Sequence, residues 1–309
     1  MEIPYPGEMA AVATAFCWAV SVMSFDAAGR RVGSMAVNLI RLLIAFVLLT
    51  GLTTLLRGRP LPTDAPPSTW LYLSLSGFVG FFLGDLCLFR SFLLLGPRLA
   101  TLLMSLAPPL AALGGIVLLD QHLRPLNWVG MAVTLSGVAW VVIERPLREP
   151  PVHRPHKVTP WGVTLGVLAA TGQGLGMVLG AMGMRLDDGT KYNPIAATQI
   201  RALAGIVGFS VLFLALRWFG RVWAALGERR AMTWITVGAF AGPVAGVSLA
   251  MLSIQLIPVG VAQTIMAILP VMIIPLVILI HKEHVSLRAL IGAIIALVGV
   301  GMLFYSPAS

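Results

Sequence analysis

Long apolar blocks constrain the fold of this 309-residue chain more than any other feature of its sequence. Hydrophobic residues make up 58% of the chain and charged residues only 11%, whereas a soluble domain carries roughly 25% charged residues. The apolar runs are close to the length of about 20 residues that a helix needs to cross a bilayer. The sequence therefore predicts an all-α integral membrane protein.

The apolar blocks divide into ten predicted transmembrane helices. Their predicted limits are 8–27, 34–56, 69–92, 97–118, 125–143, 160–183, 193–216, 231–255, 259–280 and 286–305. The proline-rich, charged stretch between the fifth and sixth helices predicts a solvated linker. The predicted organisation is a first repeat at 1–143, the linker at 144–159 and a second repeat at 160–309.

The two halves share an internal repeat. Residues 78–140 align with residues 240–302 at a constant offset of 162. Matched positions include Gly80 and Gly242, Met104 and Met266, and Pro108 and Pro270. A fixed offset over three helices argues against chance similarity between Gly- and Ala-rich helices. Because each half has five spans, the halves enter the membrane from opposite sides, which predicts two inverted five-helix repeats of the kind found in secondary transporters.

Basic residues between the spans predict the orientation. We call the side that carries both termini the terminal face, and the side that carries the 144–159 linker the linker face. Leaving out Arg41 and Arg201, 14 Lys and Arg residues fall on the linker face and 5 on the terminal face. The positive-inside rule then predicts that both termini lie outside the cytoplasm.

Several classes of function find no support in the residue patterns. The net charge of +9 comes from basic residues between the apolar blocks, which predicts no nucleic-acid partner. Cys17 and Cys87 lie inside apolar segments, outside any metal-binding spacing. The pair His281 and His284 lacks the HExxH spacing and flanks Lys282, so a polar helix cap is the better interpretation. With no clustered nucleophile, base or metal set, we predict neither an enzyme, a metal nor a cofactor.

Three charged residues lie inside predicted spans and are the first candidates for a site. Arg41 and Arg201 occupy matching places in the second and seventh spans, at an offset of 160. Each either extends to the nearby interface or faces inward to pair or bind ligand. Asp85 lies at a depth similar to that of Arg41, so an Arg41–Asp85 salt bridge is predicted, either as a static link or as a gate.

The second half lacks this carboxylate, because the residue that aligns with Asp85 is Val247. Arg201 is therefore predicted either to meet Asp187 or Asp188 in the following connector or to remain free for a substrate anion. We expect it to contribute to binding or gating.

Weaker candidates complete the predicted site. Amides within spans either bond a neighbouring helix or line a cavity, and a methionine is either core or a pocket wall. These candidates are Asn38, Gln199, Gln263 and Met104. The repeat-matched Pro108 and Pro270 each remove a helical hydrogen bond, so they are either symmetric hinges or simple packing kinks.

The whole pattern resembles the EamA family of the drug/metabolite transporter superfamily. The stretches GPRLATLLMSLAPPLAAL at 96–113 and PVGVAQTIMAILPVMIIP at 258–275 resemble the family's fourth and ninth helices. Each is followed by a polar turn, in which Glu283 fits the family's usual Glu and Gln121 beside Asp120 departs from it. Arg41 and Arg201, each early in the second helix of its repeat, also match the family's pattern.

The resemblance implies a multi-pass transporter of the cell membrane, often an exporter of amino acids or other small metabolites, working by alternating access. Its partners would be the lipid bilayer and a small-molecule substrate, with proton coupling and a monomeric or dimeric state left open. Members commonly place both termini in the cytoplasm, which conflicts with the charge count. A receptor or assembly subunit without transport activity is the alternative.

Overall fold

The computed structural model describes residues 4–143, 159–274 and 286–305, and these residues are helical apart from short connectors and one isolated β-bridge. Nine of the described helices are long and apolar enough to span a membrane. We number them with a tenth, shorter apolar helix in chain order: α1 Pro6–Val32, α2 Ser34–Arg57, α3 Pro67–Leu95, α4 Leu99–Leu119, α5 Pro125–Ile143, α6 Pro160–Gly183, α7 Pro194–Ala215, α8 Arg229–Leu256, α9 Val259–Ile274 and α10 Leu287–Phe304. The fold class predicted from the apolar blocks is confirmed.

The helix starts follow local sequence signals. Several helices begin at a proline, whose missing N–H and fixed φ suit the first helical position. Asn193 caps α7 by accepting from the backbone N–H of Ile195 at 3.0 Å and of Ala196 at 3.1 Å. Thr159 caps α6 in the same way through the N–H of Gly162. These caps satisfy backbone donors that the first helical turn leaves free.

The inverted repeat is visible in the irregularities of the helices. α3 contains a π-helical segment at Phe78–Gly84, and α8 contains one at Phe240–Gly246, 162 residues later. Turns interrupt α4 at residues 105–106 and α9 at residues 267–268, again at the same offset. Rare geometry at matching places supports the register read from the sequence, because π-helical segments are uncommon and local.

Two helices stand apart from the rest of the bundle. α5 and α10 pack mainly against each other, with Gly137 close to Gly292 and Gly130 close to Gly299. The other eight helices form the central bundle, in which α6 crosses α3 and α4 while α1 crosses α8 and α9. α5 and α10 therefore lie at the edge of this bundle.

One element differs from the predicted ones. The connector after α7 contains a short helix at Phe219–Leu226, between the predicted spans 193–216 and 231–255. Its length of eight residues is too short to cross a bilayer. The linker through residue 158 and the histidine pair of 281–284 lie outside the described residues.

Candidate functional site

An ion pair joins α2 and α3 in the linker-face half of the bundle. Nη2 of Arg41 donates to Oδ2 of Asp85, as their predicted depths suggested. Their side chains are 17% and 19% exposed, and the Arg41 guanidinium lies 5.3 Å from the ring centre of Phe25 in α1. The pairing offsets part of the cost of placing each charge inside the membrane. Its role as a static link or a gate stays a prediction.

The second arginine has a different environment. Arg201 of α7 is 2% exposed, and its Nη1 lies 3.1 Å from the sulfur of Met251 and 3.7 Å from that of Met177. Its guanidinium also stacks at 4.9 Å from the ring centre of Phe81. Its buried Nε has no hydrogen-bond partner in the part of the chain that the structure describes. A thioether is only a weak acceptor, so these contacts leave the positive charge without a matching anion.

No carboxylate of the described chain forms an ion pair with Arg201. The expected alternative of a contact with the connector acids is not seen: Asp188 instead accepts from the backbone and hydroxyl of Thr190. These hydrogen bonds lower the pKa of the exposed Asp188 carboxyl. At the position that matches Asp85, α8 carries Val247, which is 6% exposed.

Glycines set the position of Arg201. Gly77 of α3 lies so close to the α7 backbone that a Cβ there would overlap the carbonyl group of Arg201. A Cβ on Gly80 would lie 3.5 Å from Nη2 of Arg201. The hydroxyl of Ser76 donates to the carbonyl of Gly176, which fixes α6 against the same stretch of α3. Small residues therefore bring three helices together around the guanidinium.

The predicted amides lie in different surroundings. Nε2 of Gln199 donates to Oγ1 of Thr50 at 2.9 Å and to the carbonyl of Pro60 at 2.8 Å, so it ties α7 to α2 and the connector after it. Asn38 and Gln263 are 1% and 3% exposed, and the amide nitrogen of each has no partner among the described residues. Whether any of them lines a cavity stays a prediction.

The two predicted hinges coincide with helix breaks. Pro108 lies in the first turn of the second part of α4, after the turn at 105–106. Pro270 follows the equivalent turn of α9 at 267–268. Proline is tolerated in a first turn, where its missing N–H would have no intrahelical partner. Both prolines therefore restart an interrupted helix rather than kink a continuous one.

Repeat-matched segments differ in exposure. All eight residues of Val259–Met266 in α9 are buried. In the matching stretch Leu99–Met104 of α4, Ala100 is buried and the other five residues are partly exposed. Met266 is 1% exposed, whereas its counterpart Met104 is partly exposed. The start of α9 at the terminal face is thus more tightly enclosed than the start of α4 at the linker face.

Polar contacts join the two halves at the terminal face. The hydroxyl of Tyr192, before α7, donates to Oδ1 of Asp64, before α3, at 3.3 Å. Oδ2 of Asp64 pairs with Nη2 of Arg57 at 2.5 Å, and the Arg57 guanidinium lies over the Tyr192 ring. Burial, followed by the Asp64 charge, raises the pKa of Tyr192 to about 12. We call Arg57, Asp64 and Tyr192 the terminal latch.

A cavity of about 280 Å³ opens beside this latch, between the ends of α4, α6 and α8. Its cations already cap helix ends: Arg185 donates to the carbonyl of Leu119, and Lys191 to that of Gln255. Gln121 accepts from the first N–H of α9 at Val259. These interactions account for the polar groups of the cavity as helix caps.

Some polar residues of this region did not stand out in the sequence. The terminal latch lies in short connectors, where charged residues are ordinary, and no spacing links Asp64 to Tyr192. Glu8, in the first turn of α1, is 4% exposed and forms no ion pair with a described cation. Its burial depends on helices that are remote in sequence. Among the described residues, no three His, Cys, Asp or Glu side chains converge as metal ligands would.

Comparisons with known proteins agree with this geometry. The model of the EamA-like transporter family matches residues 5–143 and 160–305, one match for each half. A crystal structure of a protein with 17% sequence identity superposes with a TM-score of 0.71, over 97% of this chain and 96% of the other. At that identity the likeness concerns the fold alone. No protein with a curated description matches the chain.

Proposed function

The chain belongs to the EamA-like transporter family, and from that premise we propose that it exports a small metabolite, such as an amino acid, across the cell membrane by alternating access. Family membership already makes it a multi-pass membrane transporter of the drug/metabolite type. The proposal adds the substrate class, the direction, the membrane and the mechanism. It assigns no enzyme activity and no cofactor to the chain.

The observation that carries the proposal is the unequal exposure of repeat-matched segments. Two inverted repeats with the same fold can exchange their conformations, which moves the opening from one face to the other. The enclosed start of α9 and the more exposed start of α4 correspond to a state closed at the terminal face. In such a state the substrate enters from the linker face.

Charge supports the direction of transport. The linker face carries 14 basic residues against 5 on the terminal face, which favours a cytoplasmic linker face. A conformation that is closed outside and accessible from the cytoplasm can load a cytoplasmic metabolite. Polar contacts such as the terminal latch then have to break before release on the other side.

Reconstitution in proteoliposomes tests the proposed function. The purified protein is loaded with each of the common amino acids in turn, and counterflow of the labelled compound is followed with and without a pH gradient. We expect flux above that of protein-free vesicles for a subset of the panel. A dependence on the gradient would indicate proton coupling. The absence of flux for every compound would instead favour the receptor or assembly-subunit alternative.

A further inference from the structure

Arg201 carries a buried charge that no carboxylate among the described residues balances. In the first half, the matching Arg41 pairs with Asp85. In the second half, the described residues offer Arg201 two thioether sulfurs and an aromatic ring, and its Nε stays without a partner. The two repeats thus place a guanidinium at the same position and compensate only one of them.

The contacts of Arg201 are too weak to account for its burial. A cation–π contact and two weak thioether acceptors offset only a small part of the cost of burying a lone charge. A purely structural position would be better filled by an apolar side chain of similar volume. A guanidinium that is kept at this cost needs an anion during at least one step of the cycle.

The place for that anion follows from the repeat. Asp85 is the first residue after the π-helical segment of α3, and Val247 is the first residue after that of α8. Val247 lies one turn before Met251, on the same side of α8, and the Met251 sulfur already touches Arg201. In the second half, an external anion would therefore occupy the space that the Asp85 carboxylate fills in the first.

We propose that Arg201 binds the carboxylate of the transported substrate, which takes the role that Asp85 plays for Arg41. The inference rests on the proposed function and narrows its substrate class to compounds with a single carboxylate group, zwitterionic amino acids included. A planar guanidinium matches a carboxylate through two parallel hydrogen bonds. A single positive charge surrounded by sulfur and aromatic groups matches a substrate that has one negatively charged group and a compact apolar body. It does not match a doubly charged phosphate.

Thermal unfolding of the purified protein in neutral detergent tests this binding without requiring transport. The probes are L-leucine, L-phenylalanine and benzoate, each compared with its amide, together with inorganic phosphate. We expect at least one carboxylate to raise the unfolding temperature of the wild type and its amide to have no effect. Arg201→Gln should weaken the apparent affinity by roughly tenfold to a hundredfold, the loss of a hydrogen bond to a charged group. Arg221→Gln removes a surface charge outside the bundle and should keep the wild-type response.

A second variant keeps Arg201 and places a carboxylate at the position that matches Asp85. Val247→Asp installs the pair of the first half in the second, so it should raise the unfolding temperature without ligand and abolish the response to carboxylates. Because this variant gains stability, its loss of response cannot be attributed to misfolding. Repeating the measurement with added phosphatidylglycerol separates a lipid headgroup from a free carboxylate as the anion. A response to the lipid alone overturns the proposal.

The remaining outcomes are distinct. Equal effects of acid and amide, an unchanged response in Arg201→Gln, or no response of the wild type to any carboxylate each overturn the inference. Flux of amino acids that Arg201→Gln leaves intact would overturn it and leave the proposed function standing. Carboxylate binding that depends on Arg201, without any flux, would uphold this site and overturn the transport proposal.

Discussion

The Arg41–Asp85 pair is a partly exposed ion pair whose two charges depend on each other. Replacing one partner leaves the other charged and poorly solvated. We expect Arg41→Gln or Asp85→Asn alone to lower the free energy of unfolding by about 3 kcal/mol. The double variant should recover most of that loss, because neither charge then remains. Denaturant titration of the four proteins measures the coupling, and additive single effects would contradict it.

Gly77 tests how the Arg201 position is built. A methyl group at residue 77 would overlap the backbone of α7 at Arg201, so Gly77→Ala should force α3 and α7 apart. Overpacking of this kind costs about 1 to 3 kcal/mol. The matched control is Gly51→Ala in α2, where an added Cβ meets no atom within 4 Å. Equal unfolding temperatures for the two variants would show that the close approach is not needed.

At the scale of single residues, the sequence identifies the charged residues of the site but not the groups that surround them. Arg41, Asp85 and Arg201 stand out because charge is rare in apolar spans, and depth alone predicts the first pair. The sulfur and aromatic contacts of Arg201 depend on how α3, α6 and α8 converge, which no local pattern specifies. Gln199 illustrates the same limit, since its partners lie on α2 and the following connector.

At the scale of helices, the main departures from regular geometry are helix breaks and π-helical segments. Prolines predicted as hinges of α4 and α9 are found at matching interruptions, and the π-helical segments follow the same offset of 162. Apolar periodicity predicts the spans, but π-helical geometry has no such sequence signal here. The two segments end at Gly84 and Gly246, which contact the neighbouring helices α6 and α1.

Pro108 provides a test of the helix break in α4. Pro109 follows Pro108 directly, so the variant replaces both prolines by alanine. The turn at 105–106 can then join a continuous helix, because both missing N–H groups and both ring clashes are removed. We expect slower transport with little change in unfolding temperature, since hinge residues affect turnover far from the binding site. Pro67→Ala, at the start of α3, is the control. Equal transport rates in the two variants would argue that the turn is rigid.

The terminal latch should respond to alkaline pH. The pKa of Tyr192 rises from 10.0 to about 12 in the folded protein, so the neutral phenol is favoured by folding. Its contribution to stability is complete below pH 10 and is lost as the pH rises toward 12. The unfolding temperature of the wild type should therefore fall more steeply over this interval than that of Tyr192→Phe. Parallel curves would exclude Tyr192 as the source of the pH dependence.

The inverted repeat connects these elements at the scale of the whole molecule. Two halves with one fold can exchange conformations, but their chemistry differs: the first carries its own carboxylate and the second carries none at that position. The terminal latch joins residues of both halves, and Arg31 and Glu228 form a longer contact of 3.7 Å between the equivalent connectors of the linker face. The sequence predicts the repeat and its inversion. It cannot predict which face is closed, because that depends on packing between helices far apart in the chain.

Cysteine labelling of repeat-matched positions tests which face is open. In a background with Cys17 and Cys87 replaced by serine, Met104→Cys and Met266→Cys place one thiol at each matched site. Met104 is partly exposed and Met266 is 1% exposed, so a membrane-impermeant maleimide should modify residue 104 faster.

The side of access follows from the same variants. If the linker face is cytoplasmic, the Met104→Cys thiol should react in inside-out vesicles and stay protected in intact cells. Adding a transported substrate, or breaking the terminal latch with Asp64→Asn, should raise the reactivity of the Met266→Cys thiol, because opening the terminal face uncovers the start of α9. Faster labelling of residue 104 from outside the cell would reverse the orientation. Equal, substrate-independent labelling of both thiols would contradict alternating access.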